Sequence, residues 1–308
     1  MKRFFLYLWV VPVLMVVSAC SPENPEGGTA PSLPQGPSVP QDPSPIELSV
    51  MSFNIKVDGT DDKTTVNGWG SRKDACVQVI SEYAPAIIGF QEANYTNQWS
   101  WLKTALSDRY DGYGLNRDTG TEAGTGEVMG ILYDKNVFQL LDKGTFWLSE
   151  TPDQVSKGWG ADYNRTATWS ILLHKETGRK ICYINTHLDH QSVLARINGM
   201  ALINKRFGEY NPDGHPQILT GDFNTTSDNF AFRHIEGTMK NTRSAAPEGK
   251  TDNHTTYNNW KTTTQSIIDH IYVSKDIEVL EYATIAKKIG QCEFVSDHYP
   301  IISRIRID

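Results

Sequence analysis

Cysteine is scarce in this chain: besides Cys20, only Cys76, Cys182 and Cys292 occur, and no two of them stand in a CxxC-type spacing. A thiolate-held metal module is thereby excluded. The three later cysteines sit in apolar or helical contexts and read as small buried side chains, one disulfide with a leftover thiol being the alternative in an oxidising compartment. Runs of Lys or Arg are also missing, and 36 acidic against 29 basic residues leave a net charge of -7. Sequence-independent binding of long polyanions is therefore not advertised, although one local basic pocket stays open. There is no HExxH or other compact zinc spacing and no internal repeat. No apolar run reaches the roughly 20 residues of a membrane-spanning helix; that from Phe4 to Val17 falls short.

That short run follows Lys2 and Arg3, as in a signal peptide. Its end, Val17-Ser18-Ala19-Cys20, resembles a bacterial lipobox, so residues 1–19 are expected to be removed and Cys20 lipidated. The alternative is a plain signal peptide with an incidental cysteine. Acyl chains contribute about 0.8 kcal/mol per buried methylene, so two or more would anchor the protein at the cell envelope, outside the cytoplasm and by expectation on the outer membrane. Residues 20–45 are rich in Pro, Gly, Ser and acids, with almost nothing to bury, and read as a disordered tether. Residues 46–308 show no second linker and read as one domain, expected to be monomeric.

Within that domain the apolar patterning is α/β and dominated by strands. "IELSVMSFNI" (46–55) alternates like a half-buried strand, and "RKDACVQVISEYAP" has the helix period until Pro85 stops it. "AIIGFQEA", "EVMGILYDK", "TATWSILLHK", "RKICYINTHLDH", "PQILTGDFN", "SIIDHIYVS" and "HYPIISRIRI" read as strands; "NQWSWLKTALSD" and "SVLARINGMALINKRFGEY" read as amphipathic helices. Several strands end in polar groups: Asn54, Glu92, His187 with Asp189, and Asp222 with Asn224, while Asp269 lies inside an apolar run. A buried acid costs several kcal/mol unless it is paired, hydrogen-bonded or bound to a metal. Five such strands in one domain ask for one shared site. Asp297 and His298, neighbours in "SDHYP" at the mouth of the last strand, could serve it together only if the entering loop turns both inward, because successive strand side chains point to opposite faces.

Carboxylates and amides without thiolates suit a hard cation, Mg²⁺ or else Mn²⁺ or Ca²⁺. Because Mg²⁺ is usually held by one or two carboxylates together with substrate phosphate oxygens, phosphoryl chemistry is the natural destination.

The ordered series "MSFNI", "GFQEA", "NTHLDH", "GDFN", "IIDHIYV" and "SDHYP" resembles the endonuclease/exonuclease/phosphatase superfamily from Ser49 to Pro300. The resemblance implies a DNase I-like four-layer α/β/β/α sandwich of two mostly antiparallel sheets, of α+β type, with the active site at one edge. It implies a metal-dependent phosphoester hydrolase in which Glu92 is the principal metal carboxylate and Asn54 and Asp297 complete or support the metal site. Asp222 would orient or deprotonate the attacking water, although His298 is an alternative base. Asn224 would hold a phosphate oxygen or a second metal. His298 would contact the scissile phosphate with its tautomer fixed by Asp269, as acids fix imidazoles generally. His187 and Glu127 match the second histidine and the acid of the nuclease-like branch.

Arg165 in "NRTATW" offers two parallel donors and reads as a phosphate clamp or as a surface ion pair. Inositol polyphosphate phosphatases carry Arg directly after the acid matched by Asp269; here His270 stands there, which disfavours that substrate. The stretches around "GTFWLSETPD" and "GWGADYNRTATW" resemble a bacterial extracytoplasmic branch, and Trp147, Trp159 and Trp169 read as core before they read as stacking platforms. The substrate is expected to be nucleic acid, a nucleotide or another small phosphoester. A sphingomyelinase-like phospholipase and a non-catalytic binding module on the same fold are the competing readings, the second weakened because every catalytic position holds a competent residue.

Overall fold

The computed structural model describes residues 44–59, 65–263 and 266–308. The expected signal peptide, Cys20 and nearly all of the tether lie outside the described residues. Two six-stranded sheets form the body. In spatial order the first contains Glu278–Thr284, Ile301–Ile307, Ile46–Asn54, Ile87–Gln91, Ile131–Asp134 and Tyr110–Tyr113. The second contains Met239–Asn241, Asp269–Ser274, Gln217–Asp222, Lys180–His187, Thr166–His174 and Phe138–Trp147. Pairing is antiparallel except where Ile46–Asn54 meets Ile87–Gln91 and Lys180–His187 meets Gln217–Asp222.

Residue alternation assigns the faces. In the first strand Ile46, Leu48 and Val50 pack into the core shared with Tyr183, Ile218 and Ile271 of the second sheet. Met51, Phe53 and Ile55 face the other way, onto Cys76, Val79 and Ile80 of the helix Trp69–Tyr83. On the far side, Ile184 and Leu219 pack beneath Met200, Ile203 and Phe207 of the helix Val193–Tyr210. The result is the helix–sheet–sheet–helix layering of a DNase I-like fold.

The interface between the sheets changes character along its length. It begins apolar, at Val50, Ile87, Tyr183 and Ile218. One pleat later, period-2 alternation brings Ser52, Gly89, Gln91, Asn185 and Thr220 inward. Asn185, fully buried, donates through Nδ2 to the carbonyls of Phe90 (2.8 Å) and Gly130 (3.0 Å) across the sheets, while its Oδ1 accepts from Gln91 Nε2 (2.7 Å) and Thr220 Oγ1 (3.0 Å). One further step places Asn54, His187, Asp222 and Asp269 at one end of the sandwich, where Asp222 lies opposite both His187 and Asp269 in register.

Some elements differ from the patterning. "NQWSWLKTALSD" begins as a π-turn, Tyr95–Trp99, and only Ser100–Ala105 is α-helical. The ten-residue strand Phe138–Trp147 and the strand Glu278–Thr284 carry exposed edge positions that blur their alternation. Trp147 and Trp169 are core residues, Trp169 stacking on Tyr210 at 4.0 Å. Cys76, Cys182 and Cys292 are free thiols, which leaves the disulfide alternative without support.

His270 faces outward from the second sheet among Phe223, Phe232 and Tyr272, donating from Nε2 to Thr225 O at 3.0 Å. Burial depresses its pKa to about 4. Against an unfolded value near 6.5, a depressed pKa stabilises the fold above about pH 6.5, and that stability is lost as the pH falls toward 4, by up to about 3 kcal/mol. Replacing it (His270→Gln) should therefore flatten the fall in Tm between pH 7 and pH 5. Parallel slopes for both proteins would contradict this.

Candidate active site

A cavity of about 490 Å³ opens where the polar strand ends meet, lined by Lys56, Glu92, Arg117, Glu127, Tyr163, Arg165, His187, His190, Asp222, Asn224, Tyr257, Asp297 and His298, with Val57 and Ile268. Asn54 sits at its floor. Its Oδ1 accepts from the Lys56 backbone N–H (3.0 Å), so its Nδ2 is turned to the acids, donating to Glu92 Oε1 (3.0 Å) and Asp222 Oδ2 (2.9 Å). The amide thus aligns two carboxylates, in keeping with a supporting place at the expected metal site. Glu92 follows its strand in the left-handed region (φ 59°), which swings its side chain back into the cavity. Burial pushes its carboxyl pKa up, but Lys56, His298 and the donors Asn54 and Val57 outweigh it and hold the group low.

Asp222 Oδ1 accepts from the Asn224 backbone (2.9 Å); Oδ2 lies 3.5 Å from His187 Nε2 and 3.7 Å from His298 Nε2. Burial, then the charge of Asp269, raises its pKa to about 7. Burial opposes the charged form of His298 too, yet Asp269, Asp222 and Asp297 raise its pKa to about 10. Its Nδ1–H donates to Asp269 Oδ2 at 2.8 Å, leaving Nε2 for the cavity. Asn224, also left-handed (φ 50°), donates from Nδ2 to His187 Nε2 (3.0 Å) and to Leu188 O (2.9 Å). His187 is held neutral by burial and by the nearby Arg165 and Arg117.

Asp297 and His298 do serve one cavity: His298 reaches the Asp269–Asp222 side, and Asp297 Oδ2 lies 3.5 Å from Lys56 Nζ. Glu127 is bound by Arg117 Nη1 at 2.6 Å, and burial raises its pKa to about 7. Arg165 is not a surface ion pair. It is buried, with Nε 3.2 Å from Asp189 Oδ2 and Nη2 3.0 Å from His190 Nδ1, its guanidinium near the Tyr163 ring. Asp189, marked in the sequence beside His187, is spent on that pair and on the backbone N–H groups of Asp162, Gln191 and Ser192.

Lys56, Arg117, Tyr163, His190 and Tyr257 line the cavity without having been singled out by sequence. Lys56 follows a strand-end Asn-Ile and Arg117 sits in a loop, and neither position has a periodic signal.

The donor chemistry fits a hard divalent cation. Oxygen or nitrogen atoms of Glu92, Asp222 and His298 lie within 4.8 Å of one another, and Asp297 adds a carboxylate across Lys56 from Glu92. Because the surrounding acids favour the imidazolium, the carboxylates are the fitting ligands and His298 the fitting donor. Two buried atoms at the site, Asp269 Oδ1 and His187 Nδ1, have no partner among the described residues, as expected where a ligand completes the bonding.

Two stacked sheets whose strand tips pool acids, amides and imidazoles at one end define the phosphoesterase fold of the DNase I-like class. The chain belongs to the endonuclease/exonuclease/phosphatase family, whose sequence model matches residues 51–298. Among solved structures it is similar to an endonuclease/exonuclease/phosphatase family protein from Bacteroides thetaiotaomicron, 30% identical, covering 86% of this chain and 99% of that one, with a TM-score of 0.79. It is also similar to a mannosyl-6-phosphatase of the same species, 30% identical over 84% of this chain and 99% of that one, TM-score 0.76. An uncharacterized protein of Acanthamoeba polyphaga mimivirus is 25% identical over 282 residues, 83% of this chain and 98% of its own length.

Proposed function

We propose that this protein is an extracytoplasmic, divalent-metal-dependent hydrolase of small phosphoric esters, tethered to the envelope through a lipid on Cys20. The observation that carries the reading is the meeting of Glu92, Asp222 and His298, far apart in sequence, within one hydrogen-bonded cluster. Glu92 and Asp297 would hold Mg²⁺, which when bound would neutralise charge on the phosphoryl oxygens.

Asp222 is the base for the attacking water: a carboxyl with a pKa near 7 is matched to that task near neutrality. His298, held by Asp269, presents Nε2–H to a nonbridging oxygen, where charge grows in the transition state. Asn224, whose amide donates to Leu188 O and to His187 Nε2, holds that imidazole beside the Asp222 carboxylate. Arg165 and Arg117, both buried, supply positive charge at the far wall, and Glu127 holds Arg117 in place. The cavity's size and the similarity to a mannosyl-6-phosphatase support a compact substrate, such as a sugar phosphate or nucleotide, over a nucleic-acid duplex.

A panel of sugar phosphates, nucleotides, DNA, RNA, sphingomyelin and a chromogenic diester, assayed with Mg²⁺ and with chelator, tests the activity. Hydrolysis of the small esters should vanish with chelator, and chelator-resistant turnover would reject the metal role. In the same cells the protein should fractionate with membranes and be released from them by Cys20→Ala; release of the unaltered protein would reject the anchor.

A further inference from the structure

One cation in the site has no part in the roles above. Lys56 takes the left-handed backbone conformation (φ 57°), which a lysine adopts only when its surroundings hold it there. They do so from both sides. Its N–H donates to Asn54 Oδ1, and its carbonyl accepts from Gln98 Nε2 (2.8 Å) and Arg72 Nη2 (3.3 Å), side chains that are themselves buried. The turn directs the side chain into the cavity, where Nζ stands 3.7 Å from Glu92 Oε2 and 3.5 Å from Asp297 Oδ2. Both distances exceed those of a charge-assisted hydrogen bond, so the ammonium neutralises the two acids without being fastened to either. The side chain is also one-third exposed, so it has room to leave.

We propose that Lys56 is a further catalytic residue that exchanges partners during the cycle. Its ammonium stands in for the divalent cation between Glu92 and Asp297, yields that place when the cation binds, and then contacts a phosphoryl oxygen of the substrate. The reasoning is electrostatic. The ammonium and a divalent cation shared by the same two carboxylates are like charges competing for one place, so they are alternatives. Before metal arrives the lysine spares two part-buried acids an unpaired existence. Afterwards its flexible stem keeps a compact charge beside the reaction centre, where the remaining anion to be met is the phosphate. The inference rests on the metal-dependent reading above.

The test uses the whole lipid-free chain, Mn²⁺ binding followed by electron paramagnetic resonance, and inorganic phosphate binding to the Mn²⁺-saturated protein followed by calorimetry. Lys56→Met keeps the stem and removes the charge; Lys56→Gln is a second variant should the first fold poorly. Mn²⁺ should bind on the order of tenfold more tightly in the variants, and phosphate on the order of tenfold more weakly. The gain in Mn²⁺ affinity should persist at high salt, where a merely long-range charge effect would be screened. Absence of either shift overturns the proposal while leaving metal dependence standing, and a wild-type protein that binds no Mn²⁺ overturns both.

Discussion

Replacing Asp222 by Asn is expected to lower kcat/KM for a small phosphoester by at least about a thousandfold at saturating Mg²⁺, within the range that loss of a positioned base produces, while moving Tm by only a few degrees. Activity falls because the amide cannot take a proton, although it keeps the shape and its one oxygen can still accept from either Asn54 Nδ2 or the Asn224 backbone, which bond different oxygens of the carboxylate. Stability holds because burial already disfavours the Asp222 charge, so a neutral isostere relieves desolvation as it gives up attraction to His298. A companion, His298→Gln, should lose activity on a similar scale, since the imidazole's link to Asp269 and its reach to Asp222 both go. In the wild type, kcat/KM should decline on the acid side as Asp222 gains its proton, at or below about pH 7. The Asn variant should lose that limb. Turnover within tenfold of wild type in either variant would remove the residue from the chemistry.

Adding one methyl group at Gly89 should be among the most damaging changes outside the site. A Cβ there would lie 2.3 Å from Thr220 Oγ1, 2.4 Å from Asn185 Oδ1 and 2.5 Å from Tyr183 Oη. None of these atoms can retreat cheaply. Tyr183 and Thr220 share a 2.6 Å hydrogen bond, Thr220 bonds Asn185, and Asn185 is committed to two carbonyls of the opposite sheet. Gly89→Ala must therefore spread the sheets or break a buried polar network, a cost of about 3 kcal/mol or more. For a domain of this size that corresponds to a fall in Tm of roughly 6–12 °C. Activity should fall as well, because the sheets carry Glu92 on one side and Asp222 on the other. A Tm within two or so degrees of wild type would show that the network yields easily and does not set the spacing of the site.

Asn185 and Gly89 also show where reading a sequence stops. Strand periodicity and the run of acids, amides and histidines at strand ends were visible along the chain, because period-2 alternation and the cost of burying an unpaired acid are local matters. From those came a strand-dominated α/β domain and the positions Asn54, Glu92, His187, Asp222, Asn224, Asp269, Asp297 and His298 that the fold gathers at one end, whereas the two-sheet architecture with outer helices was implied by the resemblance of the ordered motifs to a known family. The inter-sheet polar layer was not visible, since Asn185 and Gln91 look like ordinary strand residues until the opposite sheet is laid over them. Asn54 is the same kind of case: the resemblance implied that it completes or supports the metal site, and only the Lys56 N–H that fixes its oxygen shows its amide lining up two acids.

What the linear order of residues determined was therefore which side chains are too costly to bury without a purpose, and at which strand ends they fall. What only the folded chain decided was which of them meet, which way each amide and imidazole points, and that Lys56, Arg117 and Arg165 bring positive charge to the same cavity. The reason is physical. Hydrogen-bond direction and Coulomb attraction fall off over a few ångströms, and distances on that scale between residues as remote in sequence as Asn54 and Asp222 are set by sheet packing and by a few left-handed backbone turns.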